Sequence, residues 1–159
     1  MGSMQHEEFM REAIRLADEG VRAGRGGPFG CVVVRQGRVV GTGNNRVTST
    51  NDPTAHAEVT AIRDACAKLG TFQLTDCVLY TSCEPCPMCL SAIYWARIPT
   101  VYYGNTRQNA AAIGFDDEFI YQQVPLAPEQ RTVLMKPLLP DEAIVTFRAW
   151  ETKSDKIRY

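Results

Sequence analysis

Apolar residues at Phe9, Ala13, Ile14, Ala17 and Val21 recur at three- and four-residue spacing, which predicts an amphipathic helix over 5–23, stopped at Gly24. Gly26-Gly27-Pro28 breaks the chain, and the pattern then changes. Cys31-Val32-Val33-Val34 and Val39-Val40 flank Gln36-Gly37, the signature of a β-hairpin. Helical patterning returns over 56–69, and a strand follows over 77–81. A third helix is expected over 86–97, with Pro99 just beyond it. The β-branched and aromatic run 100–103 predicts a fourth strand, and 108–113 a short helix stopped at Gly114. After an irregular, proline-punctuated stretch over 124–128, a strand over 133–138 and a helix over 141–153 close the chain. Helices alternating with strands after a hairpin predict an α/β protein, a three-layer α/β/α sandwich around a central mixed sheet.

A chain of 159 residues holds one sizeable core. Met1-Gly2-Ser3 ahead of Met4 reads as an expression scar (1–3), leaving 4–159 as a single domain. Apolar residues make up 45% and charged residues 22%, the balance of an ordinary globular protein. A net charge of −1 offers no general pull on phosphate backbones, which argues against a nucleic-acid partner. No apolar run approaches the roughly 18 residues of a membrane span. Six cysteines without a visible secretory signal suit a reducing compartment, so the expected location is cytoplasmic.

The chemistry concentrates in two short pieces, His56-Ala57-Glu58 and Pro85-Cys86-Pro87-Met88-Cys89. Cys86 and Cys89, three apart at the start of a helix, share one face. Two thiolates and one imidazole form a zinc set, and three protein ligands leave the fourth tetrahedral position open for water. Zinc lowers the pKa of such a water towards roughly 7. Residues two apart in mid-helix diverge by about 200°, so His56 and Glu58 converge only if His56 stands at a helix N-terminus. The turn cluster Asn51-Asp52-Pro53-Thr54 places one there, and Pro85 does the same for Cys86. The positive end of each helix would favour thiolate over thiol.

His-x-Glu followed by Pro-Cys-x-x-Cys is the signature of zinc deaminases acting on nucleobases. The longer runs Pro53-Thr54-Ala55-His56-Ala57-Glu58-Val59-Thr60-Ala61-Ile62 and Thr81-Ser82-Cys83-Glu84-Pro85-Cys86-Pro87-Met88-Cys89 closely resemble the bacterial guanine deaminases of the cytidine deaminase superfamily. That resemblance implies the cytidine deaminase-like sandwich and one Zn2+ per chain, held by His56, Cys86 and Cys89. It implies Glu58 as the catalytic acid–base and hydrolysis of guanine, a small purine, to xanthine and ammonia. It also implies a homodimer whose C-terminal segment, about 115–159, can be exchanged between subunits.

Substrate contacts divide between the resemblance and plainer readings. Phe29, after Gly-Gly-Pro, would be a core residue on pattern alone; the resemblance makes it a stacking partner for a purine. Asn45 is equally a turn residue or a hydrogen-bond partner for a base edge, and the resemblance makes it a substrate contact. Asp117, the second acid of Phe115-Asp116-Asp117, would ordinarily be a solvated loop acid, and by resemblance it contacts the purine. Trp95 divides between core packing and substrate contact. Tyr159, a chain-ending residue that would otherwise be a frayed tail, matches the family's closing tyrosine. Glu84, beside the proposed metal, orients the loop or the substrate, or is equally a solvated or capping carboxylate. Cys31, Cys66 and Cys77 are small core residues. Two other readings of the cysteines stand beside these: a redox Cys-x-x-Cys, and a closed structural zinc module with Cys83 as fourth ligand. Within deaminases, the motif alone leaves open a nucleoside substrate (guanosine or cytidine) or adenosine in tRNA.

Overall fold

The structure is a computed structural model describing residues 2–159; Met1, in the proposed scar, lies outside the described residues. Its centre is a four-stranded sheet in the order β2-β1-β3-β4, built from β1 (Gly30–Arg35), β2 (Arg38–Asn44), β3 (Cys77–Cys83) and β4 (Thr100–Asn105). β1 runs antiparallel to β2 and β3, while β3 and β4 are parallel, so the sheet is mixed as the pattern predicts. Gln36 and Gly37 turn the hairpin with φ of 51° and 72°, the backbone that a two-residue type I′ turn requires.

Strand alternation divides the core in two. On one face Val32, Val34 and Tyr80 meet Phe9, Met10 and Leu16 of α1 (Ser3–Arg22). The short α2 (Val47–Thr50) follows the hairpin. On the other face Cys31, Val33 and Leu79 cluster with Ala57, Ala61 and Ala65 of α3 (Ala57–Leu69) and Ile93 of α4 (Pro87–Trp95). Helices therefore cover both faces, which makes the three-layer sandwich. Among the described residues the buried positions of α1 are Ala13, Ala17 and Gly20, whereas Ile14 and Val21, assigned to the stripe by spacing, are about half exposed. Sterics explain the difference. A Cβ on Gly30 would lie 2.1 Å from the Ala13 carbonyl oxygen, so only small residues fit along that contact.

The same close approach seats α3. A Cβ on Gly43 would lie 2.3 Å from the Ala57 carbonyl oxygen, and one on Gly41 would lie 2.4 Å from that of Ala61. Glycines on β2 thus face alanines on α3, and helix backbone rests directly on strand backbone.

Beyond β4 come α5 (Arg107–Ala112) and α6 (Asp117–Gln123), the latter within a stretch that the sequence pattern leaves irregular. The chain forms two compact units, the first ending at Tyr121 and the second being Gln122–Tyr159. The second unit carries a 3-10 turn over Pro128–Gln130 and α7 (Pro140–Thr152), near the expected final helix. The strand expected over 133–138 does not form. Thr132 donates through both its backbone N–H and its hydroxyl to Gln123 Oε1, which commits the chain ahead of it to a loop. Val133, Leu134 and Leu138 are exposed, and Pro137 has no N–H to give to a ladder. β-Propensity without a partner strand makes no strand.

Gly43→Ala should cost about 3 kcal/mol through steric overpacking, whereas Gly70→Ala, which meets only a backbone penalty at φ of 63°, should cost about 1 kcal/mol. Urea denaturation of both variants beside the parent chain checks this; equal midpoints would refute the tight strand–helix seat.

Candidate active site

His56 is the N-cap residue of α3 and Cys86 the N-cap residue of α4, both with extended backbone (φ −69°, ψ 160° and φ −65°, ψ 167°). That placement meets the geometric condition set by the sequence: the chain is still turning in at His56, so Glu58 reaches the same region. His56 Nδ1 lies 3.5 Å from the Sγ of Cys86 and 3.5 Å from the Sγ of Cys89. With zinc–sulfur near 2.3 Å and zinc–nitrogen near 2.0 Å, a tetrahedral site has sulfur–nitrogen edges of about 3.6 Å. Among the described residues His56, Cys86 and Cys89 form a cluster with every ligand atom within 4.8 Å of the others. The residues fit zinc, and three ligands leave a position open.

The electrostatics favour a cation. The Cys86 thiol is pulled well below the ordinary thiol value by the Cys89 thiol that donates to it, with further help from His56 and the Cys89 backbone N–H. Holding that proton against a thiolate neighbour, and buried, Cys89 is pushed well above the ordinary thiol value. His56 is raised, chiefly by its contact with Cys86. Zinc binds the thiolate form, so a divalent cation displaces the thiol protons that the pair holds.

Cys83 takes no part. It ends β3 with its Sγ directed at the Thr106 carbonyl oxygen, 3.7 Å away, and burial pushes it up to about 11. It stays a thiol, as a strand-end cysteine would. Cys31 and Cys77 are fully buried in the core and Cys66 packs partly buried against it.

Glu58 is 5% exposed, and the Thr81 hydroxyl donates to its Oε1 at 3.0 Å. Burial raises its pKa despite that hydrogen bond, so it binds a proton more readily than a surface carboxylate. His56, Glu58 and Cys86 line a cavity of about 480 Å³, inside the usual range of roughly 300–1,000 Å³ for small-molecule sites. Phe29 and Phe115 form an aromatic corner, ring centres 4.8 Å apart and nearly perpendicular. Asn45 lines the cavity with its side-chain oxygen already accepting from the backbone N–H groups of Gly27 and Val47, which leaves its NH2 as the donor to offer. Gly26 is required here, since a Cβ would fall 2.3 Å from that oxygen. Asp117 and Glu84 supply carboxylates, and burial raises Asp117 above the ordinary range.

Comparison with known proteins assigns this architecture. A family model for the cytidine and deoxycytidylate deaminase zinc-binding region matches residues 3–105. The chain belongs to that deaminase family. A guanine deaminase of Bacillus subtilis (strain 168) is 53% identical over 156 residues, 98% of this chain and 100% of that protein. The crystal structure of a B. subtilis guanine deaminase superposes with a TM-score of 0.94, covering 97% of this chain and 98% of that one. A guanine deaminase structure from Nitrosomonas europaea, 32% identical, gives a TM-score of 0.66 over 77% of this chain and 66% of its own. A tRNA-specific adenosine deaminase of Streptococcus pyogenes serotype M1 is 39% identical over 105 residues, 66% of this chain and 61% of that protein. The family is zinc-dependent, and this deaminase chain presents a matching ligand set.

Trp95 is 61% exposed and outside the cavity lining, neither core nor wall. α4 starts at the metal cluster, and at 1.5 Å per residue its last position lies roughly 13 Å along the axis from Cys86. Tyr159 ends the second unit, 71% exposed. Two contributors escaped the sequence reading. Phe115 had a signal, standing beside Asp116-Asp117, whereas Thr81 had none, since nothing in a buried strand marks one hydroxyl as a carboxylate's partner.

Cys83→Ala should keep one zinc per chain, and Cys86→Ala should lose it; metal analysis of the purified variants decides between the open site and a closed four-ligand one. Zinc affinity should rise with pH through neutrality, because the Cys89 proton must leave on binding. A competition titration with a chromophoric chelator at several pH values measures this, and a flat profile would contradict it.

Proposed function

We propose that the protein hydrolyses guanine to xanthine and ammonia. The observation that carries this reading is the cavity itself: an aromatic corner, an amide NH2 and a carboxylate line the same space of small-molecule size as the proposed metal ligands His56 and Cys86. Near full-length likeness to a guanine deaminase, against two-thirds coverage by the tRNA-specific relative, supports the free base over a tRNA adenosine. A net charge of −1 also gives no general attraction to nucleic acid.

Guanine presents N–H donors at N1 and on the exocyclic amine, which a carboxylate accepts strongly; that is the role assigned to Asp117. The Asn45 NH2 donates to an acceptor on the base edge, and Phe29 stacks on the ring. When bound by His56, Cys86 and Cys89, zinc supplies Lewis acidity that activates water near neutral pH. Glu58 takes a proton from the attacking water and delivers it to the ring nitrogen beside C2. It later helps protonate the amine as the C2–N bond breaks, so that water and guanine become xanthine and ammonia. The raised proton affinity of Glu58 suits a group that must hold and release a proton in one turnover.

In the same reading the protein is a cytoplasmic homodimer. No helix among the described residues is long and apolar enough to cross a membrane, and all six cysteines are free thiols, which suits a reducing compartment. α7 buries no residue and exposes Val145 and Phe147, apolar surface that a second subunit would cover; exchange of the segment from about 115 to 159 would do so. The resemblance gives Tyr159 the task of closing a purine site, and Trp95 remains a contact proposed from sequence alone.

Zinc-loaded protein should release ammonia from guanine and not from guanosine, adenine, cytosine or cytidine; release from a nucleoside would overturn the free-base reading. Glu58→Gln should retain one zinc per chain and lose turnover on the order of a hundredfold or more. Full activity in that variant would remove Glu58 from the mechanism.

A further inference from the structure

Asp117 is the first residue of α6, and α6 buries no residue, so apolar packing does not fix its place. Polar contacts do. The Tyr121 hydroxyl donates to the Pro85 carbonyl oxygen at 2.8 Å, immediately ahead of the metal ligand Cys86. Tyr121 lies four residues after Asp117, one turn along the same helix face. The Arg107 guanidinium sits over the Tyr121 ring, 4.6 Å from its centre, and its Nε pairs with Glu118 at 3.3 Å. The Arg107 backbone N–H donates to Glu84 Oε2 at 2.9 Å, and the Glu84 N–H donates to the Asn105 carbonyl oxygen at 2.8 Å. The contacts close a ring: ligand loop, end of β4, start of α5, first turn of α6 and back to the ligand loop.

We propose that Tyr121, braced by Arg107, is a positioning residue that sets the distance between the base-binding Asp117 and the metal ligand at Cys86. The proposal rests on the reading of Asp117 as a purine contact. Its physical content is that the carboxylate and the metal ligands stand on separate pieces of chain. A carboxylate held out of reach of the base edge weakens the hold on substrate and transition state alike, which raises KM and leaves kcat nearly unchanged. Tyr121 is the one side chain on the Asp117 face of α6 that reaches the ligand loop with a hydrogen bond among the described residues. A tyrosine serving only as packing would have no need of its hydroxyl. Here the hydroxyl makes the link, and the ring serves as the platform for Arg107.

The test uses full-length, zinc-loaded Tyr121→Phe, which keeps the ring under Arg107 and removes only the hydroxyl. Zinc content should stay at one per chain; KM for guanine should rise about tenfold while kcat changes by less than about threefold, as expected for one lost positioning hydrogen bond. Asp117→Asn should raise KM by itself, and adding Tyr121→Phe to it should raise KM little further, because the tyrosine acts through that carboxylate. An unchanged KM in Tyr121→Phe, or an effect fully additive with Asp117→Asn, overturns the proposal, as does a fall in kcat with KM unmoved. Should Tyr121→Phe fold poorly, Arg107→Gln removes the brace and should raise KM in the same sense; no rise there overturns it equally. Wild-type protein silent on guanine would overturn the substrate reading and this proposal with it. Active wild type with an unaltered Tyr121→Phe overturns the positioning role alone.

Discussion

The structure depends on one close contact, the backbone of α3 lying on the backbone of β2. Gly41 and Gly43 present no side chain, and Ala57, Ala61 and Ala65 present the smallest ones. Any larger residue along this line would lift the helix from the sheet. Because α3 lies so close, its N-terminus ends beside the C-terminal end of β3. There the next segment leaves the sheet through Glu84 and Pro85 to begin α4. Two helix N-termini therefore converge at one end of the sheet, with His56 and Cys86 at their caps and Cys89 in the first turn of α4.

That convergence has electrostatic consequences. Helix starts gather unpaired N–H groups and partial positive charge, and one of these, the Cys89 N–H, faces the Cys86 sulfur at 3.5 Å. The Cys89 thiol first, then His56 and that N–H, lower Cys86 before any metal arrives. A few ångströms away the same packing buries Glu58 and raises it. One close-packed corner moves a thiol down and a carboxyl up, because hydrogen-bond donors dominate at the first and loss of water at the second. Opposed shifts of neighbouring groups are what a site for proton transfer and cation binding needs.

Much of this was legible from the chain alone. The ligands His56, Cys86 and Cys89 could be named from residue type and spacing. The requirement that His56 begin a helix followed from the divergence of residues two apart. The mixed sheet and the helices on its two faces followed from periodicity. Elsewhere periodicity misled. Ile14 and Val21 have the right spacing on α1 yet face outward, since the buried line there admits only small residues. The apolar run near 133–138 has strand-like composition, but Gln123 takes the Thr132 hydrogen bonds and no neighbouring strand completes a ladder.

The sequence by itself determined the chemistry, because zinc selects ligands by atom type and a local turn sets the spacing within each half of the motif. It also determined the layered class of fold, because a period of two or of 3.6 is a property of neighbouring residues. Only the tertiary structure decided which side chains share the cavity. Phe115 faces Phe29, Thr81 holds Glu58, and Tyr121 reaches Pro85 across gaps of 86, 23 and 36 residues. Contacts of that range leave no local pattern, since each is fixed by where two distant pieces of backbone come to rest. The chain carries its reactive groups in plain view and keeps their alignment in its packing.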